Sequence, residues 1–130
     1  MLHPRQFNVG EAWIAFTLND EPIHTEQDGD FRFFALMDAG SCFLLGFASV
    51  AVSQGEPSQL ESKRLLKEGQ AHNKGWPKTL FISKEQPEHF LASEAERVGI
   101  EVVRVGEAEL LPLIGKAREG FKERFSSRGA

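Results

Sequence analysis

Four carboxylates in this 130-residue chain, Asp20, Glu61, Glu85 and Glu109, stand near element ends where a fold could gather them. Acids gathered in that way hold divalent ions, and two such ions about 4 Å apart grip the attacking and leaving oxygens of a phosphodiester. Each acid also has a plainer reading. Glu61 completes a capping box with Ser58, while Asp20, Glu85 and Glu109 read as solvated acids of loops and helix surfaces. The other chemistry-bearing residues are scattered. His3, His24, His72 and His89 fall in different elements with no i,i+3 or i,i+4 pair and no cysteine partner, so they do not form a zinc set. His72, near a helix end, suits the negative pole of the helix dipole. Glu26, Asp28 and Asp30 are spaced like calcium ligands, but the closing Glu of a twelve-residue loop is missing and a hairpin turn at Asp28-Gly29 accounts for them. Cys42, the only cysteine, precludes an internal disulfide; in an apolar run with no cation beside it, it reads as a buried, inert thiol. There is no Gly-rich phosphate loop, no Gly-x-Ser-x-Gly elbow and no Ser with a His and an Asp beside it, so nucleotide binding and acyl transfer lack a warrant. The expectation is a chain with no cofactor and no metal.

The elements that must position these groups follow from periodicity. Ile14, Phe16 and Leu18 alternate with Trp13, Ala15 and Thr17 in a first strand, and Phe31 to Asp38 is a second, after the polar connection Asn19 to Asp30. Phe43 to Val52 is a third strand, apolar on both faces, so helices are expected on both sides of the sheet. Ser58-Gln59-Leu60-Glu61 opens a first helix, with Leu60, Leu65, Leu66 and Ala71 as its stripe and Asn73-Lys74-Gly75 as its stop. Lys78 to Ser83 is a fourth strand. Pro87 to Val98 is a second helix with Phe90, Leu91, Ala95 and Val98 inward and Gly99 as its stop, and Ile100 to Val105 is a fifth strand. A last helix carries Leu110, Leu113, Ile114, Ala117, Phe121 and Phe125 at spacings of three and four. Short connections make the first three strands an antiparallel meander, and the helix-separated ones imply right-handed parallel crossovers. The fold expected is α/β: a five-stranded mixed sheet with helices on both faces, one domain over residues 1–130 with its core at about 11–125.

Composition narrows the function classes. The chain is 41% hydrophobic and 26% charged, within the globular range. Eleven Phe, two Trp and no Tyr is core-filling chemistry rather than that of a stacking surface. The net charge of -4 is uneven, with two basic against seven acidic groups in residues 1–40. No basic footprint able to displace counterions from nucleic acid stands out. The candidates for such binding are Lys63, Arg64 and Lys67 on the first helix, and Lys116, Arg118, Lys122, Arg124 and Arg128 on the last, where Glu119 and Glu123 interleave and a solvated face is the plainer reading. The first residues lack the apolar stretch of a secretory signal, and the longest apolar run is about half of the roughly 20 residues that span a bilayer, so a cytoplasmic protein is expected.

The element order, and several residues, resemble the ribonuclease-H-like superfamily and within it the retroviral-type integrase and transposase core, over about Trp13 to Ile100; similar domains occur in uncharacterised bacterial proteins. Trp13 resembles the family's Trp three residues before its first catalytic Asp, and Asp38-Ala39-Gly40-Ser41 with Gly46 resembles its Asp-x-x-Ser turn and following Gly. Pro77 looks like the Pro before the fourth strand, and Gly99-Ile100 like the pair opening the fifth. The acid positions differ: the first holds Phe16 and the second would fall on Ser83. The resemblance thus implies the fold without its first two metal-holding acids. The function expected is a non-catalytic domain for protein interaction and self-association, through the third strand, Phe43 to Val52, which such a sheet leaves at its edge. The alternatives are a metal-dependent nuclease using Asp20, Glu61, Glu85 and Glu109, and a nucleic-acid binder without cleavage.

Overall fold

The computed structural model describes residues 2–19, 22–26 and 29–129, with side chains described for all of these except Thr25 and 124–129. A single 3-10 turn, Pro4–Gln6, leads into β1, Ala12–Thr17. Then follow β2, Ile23–Thr25; β3, Gly29–Asp38; β4, Leu44–Ala51; α1, Gln59–Asn73; β5, Thr79–Ser83; α2, His89–Arg97; β6, Glu101–Val105; and α3, Glu107–Gly129.

The sheet has six strands rather than five. β2 lies within the stretch 19–30 that the sequence marks as a polar connection, and it pairs antiparallel with the start of β3, Ile23 against Phe31. β3 is ten residues long, so one flank accommodates both β2 and β1 while β4 lines the other. β2 and β3 are antiparallel neighbours, and Gly29, expected in a hairpin turn with Asp28, instead opens β3 opposite Thr25, with a φ of +77° that favours glycine. Asp28 itself lies outside the described residues. On the other side β1 pairs parallel with β5, and β5 with β6. The sheet is mixed, and β2, β4 and β6 each pair with one strand among the described residues.

Alternation along β1 assigns its two faces. Trp13 and Ala15 join Phe34, Leu36, Leu80 and Ile82 under Leu65 and Leu66 of α1 and Leu91 and Ala95 of α2. Ala12, Ile14 and Phe16 join Ala35 and Met37 under Leu110, Leu113 and Ile114 of α3. At roughly 25 cal/mol per Å² of apolar surface, these two layers supply most of the drive to fold. Contact under α1 is close: a Cβ on Gly69 would stand 2.8 Å from the Trp13 ring and 3.0 Å from Leu36. Local signals set the helix ends. The Ser58 hydroxyl accepts the Glu61 N–H at 3.1 Å, and the Glu61 carboxylate accepts the Ser58 N–H at 3.1 Å; α1 stops at Lys74 in the left-handed region, and Gly99, φ +89°, follows α2.

Four expectations about faces fail, one of them at Ala71, which the stripe of α1 leaves exposed. Leu60 is 78% exposed on the first turn of α1. Phe90 is half exposed, because α2 begins at His89 and Leu91, Ala92 and Ala95 fill its inner face. β4 is covered on one face only, by α1, and Phe47 on the other is 56% exposed. No helix of the described residues is long and apolar enough to cross a membrane.

Candidate functional site

The parallel register of β1 and β5 ends with Ala15 beside Ile82, and Phe16 and Ser83 are the next residue of each strand. Both are 1% exposed. Phe16 packs into the apolar layer beneath α3. The Ser83 hydroxyl donates to the Glu85 carboxylate at 2.5 Å and accepts the Glu85 N–H at 3.1 Å. The same carboxylate oxygen accepts the N–H of Glu107, the first residue of α3, at 3.1 Å. Glu85 therefore satisfies a donor of the α3 N-terminus that the helix leaves free. These bonds, that from Ser83 foremost, hold its carboxyl below the usual carboxylate range.

A fixed cation closes the corner. Arg118 of α3 donates from Nε to the Thr17 carbonyl at 2.9 Å and from its guanidinium to Glu107 at 2.7 Å. Its side chain is 12% exposed. The expected solvated face of α3 thus fails at Arg118, whose charge serves the end of β1. Spacing alone could not reveal this, because the partner is a backbone carbonyl 101 residues away.

The three candidate acids among the described residues, Glu61, Glu85 and Glu109, serve separate places. Glu61 is spent on the α1 cap and Glu85 on Ser83 and Glu107; Glu109 is exposed on the first turn of α3. Asp20 lies outside the described residues. Among the described residues no three His, Cys, Asp or Glu side chains stand close enough to hold a metal ion. His24 pairs with Asp30, and His72 meets the Phe43 ring edge-on at 5.7 Å. Cys42 is only half-buried, with φ +60°, its thiol near the Leu113 carbonyl and pushed up by burial. Asp38, 3% exposed, accepts the Gly10 N–H at 2.8 Å, and from Ser41 the N–H at 2.8 Å and the hydroxyl at 2.7 Å. The Asp-x-x-Ser turn is thus a structural knot, and Gly40 beside it is required because a Cβ would meet the Asn8 carbonyl at 2.7 Å.

The β4 edge is the other notable surface. β4 pairs with β3 alone, so the backbone groups on its outer side face away from the sheet. Phe43, Leu44, Phe47 and Val52 are exposed along it. Phe33 holds Phe31, Phe47 and Phe121 edge-to-face at 5.4, 6.0 and 5.4 Å, a ring cluster that runs from α3 out to the edge. Of the candidate basic residues on α1, Arg64 is committed to Glu68 at 2.5 Å and reaches the Phe47 carbonyl at 3.5 Å.

Neither a family model nor a curated protein matches the chain. Solved structures do. A chain of the simian T-cell lymphotropic virus intasome, in complex with PP2A regulatory subunit B56 gamma, matches at a TM-score of 0.58 and 14% identity over 98% of this chain. This chain spans 43% of that one. The HTLV-2 integrase catalytic core domain, in complex with magnesium and in a dimeric form, matches at a TM-score of 0.52 and 11% identity, over 85% of this chain and 83% of that one. The fold is that of the integrase core, and at these identities the likeness is one of fold. The described residues at the ends of β1 and β5 do not fit magnesium: a phenyl ring, a hydroxyl already donating, a carboxylate already capping a helix, and a guanidinium.

Proposed function

We propose that this chain is a non-catalytic member of the ribonuclease-H-like fold that works by protein interaction, first with a second copy of itself along β4. The observation that carries this reading is the exposed apolar edge: Phe43, Leu44, Phe47 and Val52 on or beside a strand that, among the described residues, pairs with β3 alone. Protected edges are short, charged or covered, whereas β4 runs eight residues, Leu44–Ala51, without a charged residue. Two copies related by a two-fold axis would pair β4 antiparallel and bring two ring clusters together, which satisfies backbone and apolar surface at once. The paired corner at Phe16 and Ser83 supports the non-catalytic part, since two-metal hydrolysis needs free carboxylates at those strand ends.

Sedimentation velocity over a concentration series tests the pairing. The expected result is a reversible dimer that Phe47→Asp converts to a monomer with unchanged far-UV circular dichroism. A strict monomer at high concentration overturns the self-association reading.

A further inference from the structure

At the same end of the sheet, on the face covered by α1 and α2, lies a small cavity of about 20 Å³, room for one water molecule. Thr17 of β1, Arg32 of β3, and Gly55, Glu56 and Pro57 from the segment after β4 line it beside Glu88. Glu88 is 1% exposed, and its Oε2 is fully buried with no hydrogen-bond partner. A buried carboxylate left in that state carries a heavy desolvation cost, which a proton removes.

The backbone holds Glu88 in this position against its own preference. Its φ of +23° and ψ of 51° form a conformation that side-chain-bearing residues rarely adopt, and its side chain makes no capping bond to α2. Two neighbours enforce it. Arg104 of β6 donates to the Gln86 and Pro87 carbonyls, both at 3.0 Å, and pins the residues before Glu88. Glu56 accepts the Phe90 N–H at 3.0 Å and so ties the segment after β4 to the first turn of α2. The charged groups around Glu88 are Glu56 from that segment, Arg32 from β3 and Arg104 from β6, while β1 offers only Thr17 and β4 only Val50 and Ala51.

We propose that Glu88 is a proton-operated latch: its neutral carboxyl keeps the start of α2 and the segment Val52 to Pro57 docked over the end of the sheet, and its ionisation releases both. Burial, and then the nearby Glu56 carboxylate, push the group up to about 7 against the opposing pull of Arg104, so the latch works near neutral pH. Oε2 of Glu88 has no hydrogen-bond partner where it lies and the pull of Arg104 does not offset burial, so the ionised group moves toward water. The strained φ relaxes when it does, which favours release.

Amide hydrogen exchange of the whole chain at about pH 6 and about pH 8, corrected for the intrinsic pH dependence of exchange, tests this. Peptides covering 52–57 and 86–92 are expected to exchange on the order of tenfold faster at the higher pH, with the β1 and β3 peptides unchanged. Glu88→Gln, an uncharged isostere, is expected to abolish the difference. Carboxyl-carbon NMR of the unmodified chain provides a second readout that needs no variant, with one Glu titrating near neutrality. Equal corrected exchange at both pH values, or a Gln variant that keeps the difference, overturns the proposal, as does a spectrum in which every Glu titrates in the ordinary range. These readouts are local, so they stand whether or not two copies pair along β4.

Discussion

The carboxyl end of β1 meets two different solutions on the two faces of one sheet. On the α3 side each polar group has a partner: Ser83 with Glu85, Glu85 with Glu107, Arg118 with Thr17 and Glu107. Across the sheet, Glu88, as deeply buried as Ser83, leaves an oxygen unpaired beside a cavity. The difference teaches where change is tolerated. A saturated network resists new chemistry because any new group displaces an existing bond, whereas an unsatisfied buried acid is free to switch between two states.

The largest expected effect comes from forcing the first corner back toward an acid site. Phe16→Asp exchanges a buried ring for a carboxylate within the apolar layer under α3, and urea denaturation should show a loss of about 4 kcal/mol or more. A nearly neutral substitution would mean that the corner can open to water, and the contrast between the faces would collapse.

The next effect is the pH dependence that Glu88 imposes. Its folded-state carboxyl sits near 7 against 4.5 for an ordinary Glu, so folding favours the protonated form. The stability it permits is fully present below about pH 4.5 and is lost as the pH rises to about 7. That window corresponds to a loss of about 3 kcal/mol at most, less whatever movement of the side chain to water recovers. Glu88→Gln should flatten the profile in that window and leave the variant the more stable protein at about pH 8. Superimposable profiles would remove the asymmetry between the faces.

Arg118→Ala ranks last. It strands the Thr17 carbonyl and the half-buried Glu107, and thermal unfolding should report a loss of about 1–2 kcal/mol. A change within error would make the guanidinium a surface ornament and weaken the reading of this corner as a closed network.

What the sequence made legible was local. The capping box at Ser58 and Glu61, the stop at Asn73-Lys74-Gly75, the glycine after α2 and the alternation in β1 all depend on neighbours a few residues apart, and each element formed where those neighbours placed it. The order of strands and helices followed, while the edge position of β4 came only from the family resemblance. β2 stayed hidden because three residues carry too little periodicity to show. Leu60 and Phe90 were misplaced because helical spacing does not say which side of an element faces its neighbours. The site was the least legible part. The resemblance marked Phe16 and Ser83 as occupants of the acid positions, but Arg118 reaches a carbonyl far along the chain, and Arg104 and Glu56 bond the residues on either side of Glu88 only in the folded chain.

The central claim is that the end of β1 and β5 has spent its polar groups on itself. Thermal unfolding with and without millimolar Mg or Mn tests it most directly. The expected result is one midpoint in all conditions, because among the described residues this corner gathers no set of carboxylates for the ion. A saturable rise of several degrees that Glu85→Gln abolishes would contradict the account, since an ion that binds only the folded chain stabilises it by mass action.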